Sequence, residues 1–188
     1  MFIVSLEAEP DSPRGPRTYS PGPNGEDYNQ YDESIAQAVD EWNKKFITQA
    51  DPPPVFLDPD LVKAIIYVES DVGYYRTQKG YSGYPDIMQV ADPRNDAIYA
   101  LKNIRNPNRN KQGTEYEVTN GKLAPIEYPE ASGNSPESSI YWGVRWLYHV
   151  AQMNIEKSGV WKREWRKWKE AVNMYNKGGD ANYVQKSL

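Results

Sequence analysis

Three consecutive prolines, Pro52-Pro53-Pro54, stand between two stretches of helical periodicity and set the plan of the chain. Proline has no amide hydrogen and disfavours the α conformation in the residue before it, so no helix runs through the triplet. Upstream, Ile35, Val39, Trp42, Phe46 and Ile47 recur at helical spacing between Tyr31 and about Ala50, with Asp32 or Ser34 available to cap the start. Downstream, Asp58 is placed to accept from the open amides of a first turn, and Pro59 sacrifices no hydrogen bond at the first helical position. Leu61, Ala64, Ile65 and Val68 then share one face, the pattern of a helix packed into a core.

That second helix carries a carboxylate in an unusual place. Glu69 follows Ile65 by four residues and Ile66 by three, which puts it beside the apolar stripe and off the solvated back. Burial disfavours a charged carboxylate, and an acid that keeps its proton is what protonation of a glycosidic oxygen requires. Taken alone, the position also fits a glutamate at a helix end turned out to water. Motifs elsewhere in the chain decide between the two.

Residues 1–27, rich in Pro, Gly, Ser and charge, bury too little apolar surface to offset ordering and are expected to form an extended or disordered arm, leaving 28–188 as one domain. Residues 73–85 are polar, tyrosine-bearing and broken by glycines, the composition of a binding loop. Asp92-Pro93 reads as a turn and 96–101 as a short helix, followed by a basic patch of Lys102, Arg105, Arg109 and Lys111. Asn120-Gly121 between 114–118 and 122–127 signals a hairpin. Ser135 and Pro136 open a further helix with Ile140, Val144, Leu147, Val150 and Ala151 on its apolar face, and Gly143 inside it costs roughly 1 kcal/mol relative to alanine, so a close approach is expected there. A last helix is predicted from Trp161 to Tyr175, with Trp161, Trp165, Trp168 and Val172 turned to the core, ending in Gly178-Gly179.

Several chemistries are excluded. With no cysteine, thiol ligation and disulfides are out of reach, and with His149 as the single histidine a histidine metal site or a Ser-His-Asp triad is hard to assemble, so neither metal nor cofactor is expected. The net charge of −4 argues against nucleic acid as a partner, and no stretch has the apolar length of a membrane span. Chemistry must rest on carboxylates, amides and the 15 Tyr and 6 Trp, rings that suit carbohydrate clefts.

Four separated motifs now align: Ala64-Ile65-Ile66-Tyr67-Val68-Glu69-Ser70, then Asp86-Ile87-Met88-Gln89-Val90, then Trp142-Gly143-Val144-Arg145-Trp146-Leu147, then Ala171-Val172-Asn173-Met174-Tyr175-Asn176-Lys177-Gly178-Gly179. Their order and chemistry resemble the soluble lytic transglycosylase and goose-type lysozyme superfamily, across residues 57 to about 180. The resemblance implies a mainly α, lysozyme-like domain with a small β-hairpin, in which 94–135 is an insertion bordering the cleft. It implies cleavage of peptidoglycan between N-acetylmuramic acid and N-acetylglucosamine, with Glu69 as general acid and base. Tyr175 is then expected near the Glu69 carboxylate, and Met88 and Gln89 along the sugar cleft with Ser70 and Tyr84. Asn176 would brace the helix end or the substrate, and Gly143 would let two helices close behind the site.

Asp86 replaces the family's glycine before the Met-Gln pair, and Asp92 follows shortly after. An inverting hydrolase needs a second carboxylate roughly 6.5 to 9.5 Å from its acid, and these two are the candidates, with a loop-fixing role for Asp86 and a turn role for Asp92 as the alternatives. A wall substrate without a visible cleavable signal leads to the expectation of delivery by a specialised secretion machine or by phage lysis, with action in the periplasm or on the cell wall and an inhibitor or immunity protein as a further partner. The alternative function is a non-catalytic glycan-binding module.

Overall fold

A computed structural model describes residues 14–71, 86–90, 97, 115–126 and 135–176. They form four helices, α1 (Asp32–Ile47), α2 (Pro59–Ser70), α3 (Pro136–Ala151) and α4 (Trp168–Tyr175), and two antiparallel hairpins, β1 (Tyr116–Thr119) with β2 (Lys122–Pro125) and β3 (Gln152–Lys157) with β4 (Val160–Trp165). None of these helices is long and apolar enough to cross a membrane.

Local chemistry accounts for most boundaries. Asp58 caps α2 by accepting from the Asp60 amide at 2.9 Å, and Ser135 caps α3 through the Ser138 amide at 3.1 Å, contacts worth about 1 kcal/mol each. Neither expected cap closes α1, whose N-cap is Tyr31 with no side-chain bond. Asp32 turns to Lys63 of α2 instead, 2.7 Å away, and an ion pair across helices wins over a local cap. Acidic residues in the first turn of α1 and Lys44 and Lys45 in its last oppose the helix dipole.

Helix α2 runs back along α1, so Lys63 meets the start of α1 while Leu57 meets Asn43 near its end. Asn43 is a polar node inside an aromatic core: its Oδ1 accepts from the Leu57 amide and from the Tyr148 hydroxyl, tying α1, the proline connection and α3 together. Around it, Phe46 stacks on Tyr148 with centroids 4.3 Å apart, and Trp42 packs on Tyr141 at 5.0 Å while its indole donates to the Tyr141 carbonyl. The described part of the N-terminal arm, 14–27, has no helix or strand but is fastened to α2. Arg17 pairs with Asp60, and Lys63 donates to the Arg17 carbonyl at 2.7 Å.

The C-terminal third corrects the sequence reading. Trp161 to Tyr175 is not one helix: β3 and β4 pair from Gln152↔Trp165 to Lys157↔Val160, and only Trp168–Tyr175 is helical. The Ser158-Gly159 turn between the strands has φ of 53° and 78°, the left-handed geometry that a two-residue hairpin needs. Alternation then places Trp161, Arg163 and Trp165 on one face. Arg163 is buried and donates to the Val118 carbonyl at 2.7 Å, so this charged side chain belongs to the interior. Arg166 donates to the Val150 and Gln152 carbonyls at the end of α3. The hairpin expected at Asn120-Gly121 is present, with φ of 51° and 74° at the turn.

The two hairpins meet the C-terminal end of α3 around buried charge. Arg145, with no solvent exposure, donates to both oxygens of Glu117 on β1 at 2.7 Å. Glu117 also takes His149 Nδ1 at 2.9 Å and Gln152 Nε2 at 3.1 Å. Burial alone would push the Glu117 carboxyl up, but Arg145 and His149 outweigh it and hold the group at about 2. Burial would push the His149 imidazole down, and its bonds to Glu115 and Glu117 turn the shift upward. A carboxyl held low stabilises the fold above its unfolded value and loses that contribution as pH falls, whereas a histidine held high stabilises below its unfolded value and loses it as pH rises. Stability is therefore expected to be greatest between about pH 4.5 and 6.5, measured as urea midpoints across pH. Glu117→Gln, which leaves Arg145 without its anion, should cost roughly 3 kcal/mol and flatten the acid limb of that profile.

Candidate active site

The four motifs meet at one short segment, 86–90. From the α2 motif, the Glu69 main-chain carbonyl accepts from the Gln89 side-chain amide. From the α3 motif, the Met88 side chain lies on Gly143, where an added Cβ would meet Met88 Cε at 2.7 Å and Cβ at 2.9 Å. From the α4 motif, the Tyr175 hydroxyl donates to the Met88 carbonyl at 2.8 Å. Ser139, one turn before Gly143, accepts the Met88 amide at 3.0 Å and donates to Asp86 Oδ1 at 2.6 Å.

The candidates among the described residues acquire places from this geometry. Glu69 is half-buried in the last turn of α2, two hydrogen bonds from Tyr175 through the Met88-Gln89 segment. Ser70 is buried, and its hydroxyl donates to the Ile66 carbonyl within the helix. Asp86 is buried, and besides Ser139 its Oδ1 accepts the Val90 amide at 3.0 Å, so the carboxylate closes the 86–90 turn on itself. Met88 has no solvent exposure and supports the segment from beneath, with Gln89 half-buried above it at a φ of 55°. Asn176 is the C-cap residue of α4. Asp92, Tyr84, the 73–85 loop and the basic patch at 102–111 lie outside the described residues, and of the expected 96–101 helix only Ala97 is described, helical and buried.

One expectation needs correcting. Gly143 does not let two helices close on each other; it admits the methionine of the 86–90 segment. The physical reason is the same lack of a side chain, used by a loop and not by a helix.

Sequence reasoning missed Asp71. It is the C-cap of α2 in the left-handed conformation, with φ of 48°, and its Oδ1 is buried with no hydrogen-bond partner among the described residues. Burial, with the Glu26 carboxylate nearby, pushes its carboxyl up. An aspartate at a helix C-cap, where glycine or asparagine is usual, was the available signal. Among the described residues no cluster of three or more acidic or histidine side chains could hold a metal ion.

No protein-family model, no curated protein and no solved structure matches the chain.

The contact at Gly143 yields a direct test. Alanine at an exposed helix position would gain roughly 1 kcal/mol over glycine. Here Met88 is held at its amide by Ser139 and at its carbonyl by Tyr175, so it has no room to withdraw. Gly143→Ala is expected to destabilise by about 1 to 3 kcal/mol in urea unfolding, as overpacking does, and to cost less when introduced beside Met88→Ala than in the unaltered chain, read as a double-mutant cycle.

Proposed function

We propose that the chain is a peptidoglycan muramidase with a lysozyme-like catalytic domain, in which Glu69 acts as general acid and base. The observation that supports this most is the convergence of four sequence-distant motifs on Met88 and Gln89, beside the end of the helix that carries Glu69. Nothing in the packing of a generic helical core calls for a glutamine bonded to the main chain of that glutamate and a buried tyrosine bonded one residue earlier.

In this reading Glu69 gives its proton to the oxygen between N-acetylmuramic acid and N-acetylglucosamine as that bond breaks, and the muramic C1 gains oxocarbenium character. The resulting Glu69 carboxylate then takes a proton from the nucleophile. A water gives a reducing end, and the muramic 6-hydroxyl gives an anhydro end. Gln89 fixes the end of α2 and so the direction from which Glu69 approaches. Asp86, committed to Val90 and Ser139, is a positioning residue that holds Met88 and Gln89 in register. Asp71 and Asp92 are then the carboxylates for orienting a water, and hydrolysis is the favoured outcome.

Glu69→Gln should keep the fold and lower release of soluble muropeptides from purified sacculi by at least about a thousandfold, the scale of a lost acid catalyst. Undiminished release would remove Glu69 from the mechanism, and retention on sacculi without cleavage by the unaltered protein would point to a glycan-binding module. Mass spectrometry of the products assigns the chemistry: reducing ends for hydrolysis, anhydro ends for transglycosylation. Sent to the periplasm of a bacterial host, the protein should cause lysis that Glu69→Gln abolishes, and kept in the cytoplasm it should not.

A further inference from the structure

Within the N-terminal arm, residues 19–29 form a closed loop seated on α2. Asn29 closes it: its Oδ1 accepts from the Tyr19 amide at 2.8 Å and its Nδ2 donates to the Tyr19 carbonyl at 2.7 Å. Inside the loop the Glu26 carboxylate accepts from the amide and the side chain of Asn24, and the Gly22 amide donates to the Glu26 carbonyl at 2.9 Å. The turn is tight enough that a Cβ at Gly22 would collide with the Glu26 carboxylate and, at 2.8 Å, with Tyr28 Cζ. A side chain of α2 clasps the loop. The buried Lys63 ammonium donates to the Arg17 carbonyl at 2.7 Å and to Asn29 Oδ1 at 2.8 Å, and pairs with Asp32 at 2.7 Å. A polar, glycine-bearing loop cannot offset its ordering by apolar burial, so these bonds are what fix its place.

The clasped loop delivers Tyr28 to the end of α2 that carries Glu69. Its ring meets Tyr67 edge-on, with centroids 5.6 Å apart, and packs against the buried core. Its hydroxyl is raised by burial and then by Glu26 and Asp71, which places all three groups together at the helix end. Tyr67 and Asp71 are one helical turn apart and share a face of α2, whereas Glu69, two residues from each, projects from another. Tyr28 therefore supports the last turn from behind Glu69. That turn lacks the usual local supports. Its C-cap is an aspartate with φ of 48° in place of a glycine, it contains no basic residue to meet the helix dipole, and a helix of 12 residues is marginal alone. Its geometry is left to contacts from outside the helix, with Gln89 on the Glu69 carbonyl and Tyr28 on Tyr67.

We propose that Tyr28 is a positioning residue for Glu69, holding the last turn of α2 from behind, and that Asn29 and Lys63 form the clasp that sets it there. The proposal rests on the muramidase reading above and adds the N-terminal arm to the catalytic unit. Its test uses the full chain. Tyr28→Ala should speed hydrogen exchange at the Ser70 and Asp71 amides by roughly tenfold while leaving the urea midpoint in place, since local opening is separate from global unfolding. On purified sacculi it should lower kcat by about tenfold or more at an unchanged KM, the mark of a misdirected catalytic group. Tyr28→Phe, which keeps the ring contact, should restore both readouts. Asn29→Ala, which opens the clasp away from the helix end, should reproduce the loss. No release of muropeptides by the unaltered protein would overturn the muramidase reading, and the catalytic purpose of the contact with it. Release at an unchanged kcat in Tyr28→Ala, an effect confined to KM, or unchanged exchange at the two amides would overturn the positioning role alone.

Discussion

Met88 has no exposure to solvent, and its main chain is held at both polar atoms by side chains from different helices, Ser139 of α3 at the amide and Tyr175 of α4 at the carbonyl. Buried backbone groups outside regular structure must find partners, and here they find them where those partners also fix position. The thioether sits on Gly143, so the segment approaches α3 more closely than any other residue type at that position would allow. From this anchor the next residue, Gln89, reaches the end of α2. The relative placement of three helix ends therefore depends on one short segment, and a change at Gly143, Ser139 or Tyr175 would be felt at Glu69.

Two residues further along α3 from Gly143, a second joint is organised by charge. The contact from Arg145 Nη2 to both oxygens of Glu117 would be a liability if either partner were missing, since each is taken out of water. Its geometry is satisfied from several elements at once, with His149 and Gln152 supplying the remaining donors. The network joins β1 to α3, and Arg163 of β4 adds a bond to the carbonyl of Val118 on β1. Short two-stranded hairpins have little independent stability, so both depend on this buried polar joint and on the aromatic core behind it.

What could be read from the sequence follows the range of the interactions involved. The starts of α2 and α3 were legible because Asp58 with Pro59, and Ser135 with Pro136, act on the backbone next to them. The Asn120-Gly121 hairpin was legible for the same reason. The second hairpin was not, because Trp161, Trp165 and Trp168 satisfy a helical period, and the competing Ser158-Gly159 turn is a weaker signal until Arg163 finds the Val118 carbonyl 45 positions away. The cap of α1 went to Tyr31 because Asp32 meets a lysine 31 positions further on. At the candidate site, the residue types of the four motifs were visible, but not that Asp86 would spend its Oδ1 on Val90 and Ser139, nor that Gly143 would face a methionine. Arg145 and Glu117 carry no local mark of being paired.

Part of the backbone strain lies around the candidate site too, although Asp51, with φ of 55°, carries the same geometry just before the proline triplet. Asn120 and Ser158 adopt positive φ in two-residue turns, each followed by glycine, where that geometry is the favoured one. Asp71 and Gln89 adopt φ of 48° and 55° outside such turns, and for side chains of this kind the cost is of order 1 kcal/mol or more unless surrounding contacts over-determine the conformation. Both flank the Glu69 main chain: Asp71 ends its helix, and Gln89 bonds its carbonyl. The contacts that hold Gln89 in place run through Asp86 and Met88 to Ser139 and Tyr175. Met88 and Tyr175 belong to the same buried cluster as Trp42, Phe46 and Tyr148, so the core that stabilises the fold also holds the strained Gln89 against the end of the helix that carries Glu69.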